Sequence, residues 1–449
     1  MKNSLLKSVA LLILLPFFGN AQEKKEEPKY GISLSGYVKS DFIFDSRQTI
    51  NLREGHFLIY PDNIKKDKND EDINAVPNLS FLSIQSRLHA DISGPNVLGA
   101  KASGMFEAEF FGHSDADING FRLRHATIKL KWKTTELLVG QYWHPMFVTD
   151  CFSDVVSFNT GAPFQPFTRN PQIRLTQNIG KFKIIAALLE QRDFQSTGPD
   201  GGSSKYLRNS AIPDAHLQIQ FNLKNEDKGT DFLIGVGGGY KFLKPRLSND
   251  IMSKATYTLN TPSLDTNTWT ITYKPAAVIE KYQLTNKIGS YSVIGFAKLK
   301  TKPVTVKIEG VYGQNLYDMT MLGGYAVSDS TKDNIEYTPI STLSAWVDIQ
   351  TNGKLIQFGV FGGYSKNMGA DEVITGSNYS RGANIAYLIR VSPRIVVNIE
   401  KFRIGLEMEY TGAAYGLYDQ AARAAKGDVK DDINLVNNFR GLLAFSFFF

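Results

Sequence analysis

The chain has 449 residues, enough for one large barrel or for two or three ordinary domains. Hydrophobic residues make up 42%, which excludes gross disorder, and the single Cys151 excludes an internal disulfide. A formal charge of +6, with no basic cluster interleaved with aromatics, excludes a nucleic-acid binder.

Residues 1–21, MKNSLLKSVALLILLPFFGNA, carry Lys2 and Lys7, then an apolar run from Val9 to Phe18, then the small-residue end Gly19-Asn20-Ala21. A basic start, an apolar middle and a small-residue end predict a signal peptide cleaved at Ala21/Gln22. A spanning helix is the poorer reading, because the run is short and Pro16 breaks it. Cleavage lowers the charge from +6 to +4 by removing Lys2 and Lys7. Residues 22–29, QEKKEEPK, form a short charged periplasmic leader, and 30–449 are expected to be one domain.

From residue 30 onward the apolar residues alternate. Leu82, Ile84, Leu88, Ala90 and Ile92 share one face, while Gln85, Arg87, His89 and Asp91 share the other. Phe402, Ile404, Leu406, Met408 and Tyr410 oppose Arg403, Glu407 and Glu409. This is the period of a strand. The pattern predicts strands at 30–44, 80–92, 99–112, 121–133, 135–147, 170–179, 182–192, 212–224, 230–243, 285–300, 303–315, 338–351, 354–366, 384–399, 402–415 and 434–449. That makes sixteen. Short connections alternate with long polar ones, as in an antiparallel transmembrane β-barrel of the bacterial outer membrane. Segment 268–284 is either loop or further strand, which leaves eighteen strands open. Pro393, inside a predicted strand, suggests a bulge there.

The terminal stretch FRGLLAFSFFF puts Phe445, Phe447 and Phe449 on one greasy face. In hydrocarbon the last strand must pair with the first, so this face is expected to meet lipid. A final Phe preceded by alternating apolar residues resembles the C-terminal signature read by the barrel-assembly machinery. The expected surroundings are a lipid bilayer with lipopolysaccharide.

Sixteen strands leave room for a water-filled lumen. Alternation places Arg87, Arg174, Arg390, Arg394, Arg403 and Glu407 on its wall. If Ile399 faces Phe402 across the short turn, Arg394 lies opposite Glu407; that pair is either structural or exposed to solute. Arg390 lacks an obvious acidic partner and is the candidate for solute contact. Segment 148–168 is rich in Phe. Folded inward as a constriction loop, it would bury its aromatics and bring Asp150, Asp154, Asn159 and Arg169 near the path. Packing over the rim or between subunits is the other placement.

Three consecutive segments carry a resemblance: FRLRHATIKLKW (121–132), LLVGQYWHPMF (137–147) and SFNTGAPFQPFTRNPQIRLTQ (157–177). They resemble the central part of the DcaP-like outer-membrane porins, in the version found in Bacteroidota. The resemblance implies a homotrimer of 16-stranded barrels that passes small anionic solutes such as dicarboxylates. It also implies that Arg122, Arg124, Arg169 and Arg174 lie near the constriction. Alternation alone puts Arg122 and Arg124 on the lipid side, so either a bulge reverses them or they sit at a rim or subunit contact. Some members carry an N-terminal coiled-coil extension, for which QEKKEEPK is too short.

Other chemistry finds little support. None of the six histidines begins a His-x-Ser pattern, so a barrel phospholipase is not expected. No His or Cys spacing suits a zinc site, and no cofactor is implied. The acidic run KKDKNDEDIN (65–74) lacks the glycine and spacing of an EF-hand, which leaves weak calcium binding as a remote option. The expectation is an outer-membrane channel for small hydrophilic solutes with a mild anion preference. The alternative is a non-conducting barrel that acts as adhesin or scaffold.

Overall fold

The computed structural model describes residues 30–225, 227, 229–260, 270–417 and 425–449. The expected signal peptide, its cleavage site and the charged leader lie outside the described residues.

Sixteen antiparallel strands form a closed wall. They are β1 (Gly31–Asp45), β2 (Asn78–Leu82 and Arg87–Val97), β3 (Ala100–Glu109), β4 (Arg122–Lys131), β5 (Thr135–Trp143), β6 (Arg169–Ile179), β7 (Phe182–Leu189) and β8 (Asp214–Asn225). The second half is β9 (Thr230–Leu243), β10 (Ile288–Lys300), β11 (Val304–Gln314), β12 (Ile335–Thr351), β13 (Ile356–Ala370), β14 (Ile385–Ile399), β15 (Phe402–Leu417) and β16 (Asp431–Phe448). β1 closes the barrel against β16, with Tyr37 opposite Phe448 and Asp45 opposite Arg440. Gly36 and Phe449 exchange backbone hydrogen bonds of 3.2 and 3.1 Å at the seam. No edge is left unpaired there, as a hydrocarbon surround requires.

The alternation read from sequence sorts the wall into two faces. Phe439, Phe447 and Phe449 are exposed outward, whereas Asn438, Arg440 and Leu442 are buried inward. Seven short turns lie at the end that holds Gly31 and Phe449, and eight longer connections lie at the other. The described part of segment 268–284, residues 270–284, adds no strand to the wall. Thr270–Lys274 and Val278–Gln283 pair with Thr256–Asn260 and Ser248–Met252 in two separate ladders outside the barrel. The count therefore stays at sixteen.

Irregularities fall where alternation could not place them. β2 breaks at 83–86, where Ile84 turns into the lumen and Ser86 Oγ takes over the backbone N–H of Lys39. The expected bulge at Pro393 is absent. Val391 pairs with Tyr410 and Arg394 with Glu407, so the register is the same on both sides of the proline. The shift in this ladder comes at Ile385/Tyr387 instead. Proline simply leaves its ladder position without a donor.

The largest apolar core lies inside the barrel. The third long connection, 144–168, folds inward as expected and brings Phe147, Phe158, Phe164 and Phe167 into it. The predicted fifth strand therefore ends earlier than its expected limit at 147, with His144 to Phe147 already in the loop. A hairpin of the first long loop, Thr49–Leu52 with Phe57–Pro61, joins the same core. Phe111 stacks on Phe158 at 4.2 Å and Trp143 on Phe147 at 3.8 Å. Each such pair adds roughly 0.5–1.5 kcal/mol beyond area burial. Gly363 on β13 makes the docking possible, because an added Cβ would lie 2.5 Å from the Phe164 ring.

Candidate functional site

The candidate site is the lumen, which falls into two levels. Towards the long loops, wall charges grip the infolded segments. Arg390 is 1% exposed. It donates to the carbonyls of Ala162 (2.7 Å) and Ile59 (3.0 Å), and so holds the third loop and the first together. Its Nε meets Thr411 at 2.9 Å and Glu409 at 3.2 Å. The expectation that Arg390 lacks an acidic partner is thus corrected: Glu409, two positions away on the inner face of β15, supplies one. Arg440 does the same work for the first loop, paired with Asp45 at 2.7 Å and donating to the carbonyl of Gly55 at 2.7 Å.

Arg394 does lie opposite Glu407 in the ladder, as the turn at 399–402 requires. Its ion pair, however, goes the other way across the wall. Both guanidinium nitrogens reach Asp348 on β12, at 2.9 and 2.8 Å. Gly359 permits this reach, since a Cβ there would lie 2.5 Å from the guanidinium carbon. Glu407 instead accepts the backbone N–H of Val156 in the third loop.

The loop residues meet the wall in turn. Asp150 pairs with Lys183 at 2.8 Å and Asp154 with Lys307 at 2.6 Å. Asn159 is buried and donates to the carbonyl of Leu58 in the first loop at 3.3 Å. Arg169, at the start of β6, is fully buried against Asp193 of the fourth long connection at 2.7 Å.

Arg122 and Arg124 face inward, contrary to the alternation. The β3–β4 register shifts between Glu107 and Ala108, and Arg124 is the extra residue of that bulge, so Arg124 and His125 both point into the lumen. The bulge assembles a cluster around Glu109, which meets Arg87 at 3.0 Å, Arg122 at 2.8 Å and Arg124 at 2.6 Å. Arg124 also meets Glu107 at 2.7 Å, and Arg122 meets Asp193 at 3.3 Å. Sequence reasoning missed Asp193, Arg440 and His56. Only Arg440 left a signal, through its place on the inner face of the last strand.

Towards the short turns the lumen is different. Lys101, Lys129, Lys131 and Arg174 face inward, and among the described residues none has a carboxylate within 4.0 Å. Lys129 and Arg174 lie over the ring of Tyr142, at 5.5 and 5.3 Å from its centre. They help line a cavity of about 370 Å³. A second cavity, of about 280 Å³, shares Tyr142, Phe147 and Thr149 with it and reaches up to Arg87, Glu107 and Arg124. Arg403, also at this end, is exposed, donates to Asn398 at 2.8 Å and lies over Phe448 at 5.1 Å. In the first loop, the acidic stretch 65–74 is a turn bound by its own carboxylates. Asp67 accepts from the backbone of Asn69 and Glu71, and Asp72 from that of Lys65 and Asn74.

No family model matches the chain, and no curated protein does. Solved structures do. The outer-membrane channel DcaP of Acinetobacter baumannii matches with a TM-score of 0.63 at 15% identity, over 94% of this chain and 97% of that one. An anion-selective porin from Comamonas acidovorans matches at 0.52 and 10% identity, over 94% and 100%. OmpT of Vibrio cholerae matches at 0.50 and 11% identity, over 95% and 100%. At these identities the likeness establishes the fold, the closed barrel of outer-membrane porins.

Proposed function

We propose that this protein is an outer-membrane porin through which small hydrophilic, preferentially anionic solutes diffuse passively. The observation that carries the reading is the barrel itself: sixteen closed strands around a charged lumen, narrowed by an inward third loop. Size exclusion by that loop and the field of the wall charges would do the selecting. The surplus of unpaired cations near the short turns favours anions, as does the expected mature charge of +4. The DcaP-like family assignment, the homotrimer, and assembly through a C-terminal strand ending in Phe449 belong to the same proposal.

A second reading has one observation in its favour. The hairpin residues Phe57 to Ile59 are almost wholly buried inside the mouth, as a non-conducting adhesin or scaffold would have them. Conductance of the purified protein in a planar bilayer separates the two. A porin gives stepwise current, in groups of three if trimeric, whereas a closed barrel inserts without steps.

A further inference from the structure

The cations around Tyr142 are arranged in a way that needs a counter-ion. Lys101 and Lys131 are direct cross-strand partners in the β3–β4 ladder, with Lys129 opposite Ser103 two positions on. Like charges placed directly opposite weaken a ladder. Elsewhere in the lumen carboxylates of the wall or of the infolded loop meet its cations, as in Arg87–Glu109, Arg394–Asp348 and Lys307–Asp154. Here, among the described residues, none comes within 4.0 Å. Arg174 spends two of its nitrogens on Gln172 and on the carbonyl of Trp143, which fixes the guanidinium rather than neutralising it.

A second observation points the same way. Gln218 and Gln220 on β8 line the same cavity and are 1% and 3% exposed. The amide nitrogen of Gln218 has no hydrogen-bond partner among the described residues. A buried donor left unmade is costly unless something accepts from it. A cavity of about 370 Å³ has room for a small oxyanion with several waters.

We propose that this chamber is a binding station for a compact oxyanion carrying two or more negative charges. Lys129, Lys131 and Arg174 supply the charge, and Gln218 supplies an oriented N–H donor that a spherical halide uses poorly. The short-turn end is the periplasmic end in bacterial barrels, so the station would hold the anion after it has passed the constriction. The inference rests on the lumen being a diffusion path, and its test is therefore kept separate from conductance.

The test is calorimetric titration of detergent-solubilised protein with inorganic phosphate at low ionic strength, where screening is weak. Saturable phosphate binding, tighter than chloride, is expected for the wild type. The double variant Lys129→Gln/Arg174→Gln should weaken it by about tenfold or more, the scale of a lost charged hydrogen bond. Lys131→Gln, at an exposed position, should weaken it less, which covers the case of a double variant that fails to fold. Lys354→Gln, in a turn outside the chamber, should change nothing. No saturable phosphate binding, or equal binding by the wild type and Lys131→Gln, overturns the proposal. Current without phosphate binding removes the station and leaves the porin reading. Phosphate binding without current keeps the station and removes the diffusion path.

Discussion

Arg390 and Arg174 are both arginines of the inner wall, and they live in opposite surroundings. Arg390 sits among the long loops, fully enclosed, with a carboxylate, a hydroxyl and two loop carbonyls around it. Arg174 sits towards the short turns, half-buried, over an aromatic ring and with no carboxylate within 4.0 Å of it among the described residues. The difference separates two uses of charge in one lumen. In the upper half, charge is spent on structure. An infolded loop exposes carbonyls and amides that would be orphaned without donors and acceptors from the wall. In the lower half Lys183 and Lys307 hold the third loop through Asp150 and Asp154, while Lys129, Lys131 and Arg174 have no carboxylate within 4.0 Å among the described residues, so their field is available to the solvent and to whatever passes.

The comparison breaks first where a structural charge is removed. Arg390→Met should free both the 49–61 hairpin and the 148–168 loop, at a cost of about 3–5 kcal/mol, because Glu409 is left buried and unpaired. Protease cleavage within those loops while the barrel remains intact would register it. A variant as resistant as the wild type would mean that the loops hold without the wall.

Acid should loosen the same region without any substitution. His56, in the first-loop hairpin, lies 3.4 Å from Asp41 and between the rings of Phe111 and Phe158. Burial pushes its imidazole down to about 4, against the pull of Asp41 in the other direction. A histidine whose folded value lies below its free one contributes stability that is complete above about pH 6.5 and is lost as the pH falls to 4. The loss is on the order of 3 kcal/mol, at about 1.4 kcal/mol for each pH unit between the free and the folded value. A spin label at Glu54→Cys, on the exposed turn, should gain mobility between pH 6.5 and 4, and should not do so when His56→Gln is added.

Glu109→Gln should cost about 2 kcal/mol, since one charged acceptor shared by Arg87, Arg122 and Arg124 becomes neutral. Thermal unfolding followed by circular dichroism measures it. Lys131→Gln is the counterpart in the lower half. It should leave stability within about 0.5 kcal/mol, because relief of the opposition to Lys101 is offset by loss of the pairing across from Glu136. The same variant should still move the reversal potential towards cations. A stability loss as large as that of Glu109→Gln would erase the distinction between the two halves.

What the sequence disclosed and what it hid follow from range. A strand in a membrane wall alternates residue by residue, so β16 with its outward Phe439, Phe447 and Phe449 can be read from eleven letters. The short turn at 399–402 likewise sets Arg394 opposite Glu407 correctly. Partnership is not local. Arg394 passes over the glycine at 359 to reach Asp348, and Arg390 reaches Ile59, 331 residues away. Bulges defeat parity outright: one extra residue at Arg124 turns two arginines from lipid to lumen, with no composition change to announce it. The infolded loop was legible because four phenylalanines between 152 and 167 have no place in open solvent. Its anchors were not.

The measurement that tests the central claim most directly is the reversal potential of the reconstituted protein under a salt gradient, taken for the wild type and for Lys129→Gln/Lys131→Gln. Stepwise current with an anion-side potential in the wild type, moving towards zero or beyond in the variant, is the predicted result. Current whose selectivity ignores both lysines would contradict it, and so would a barrel that inserts without current.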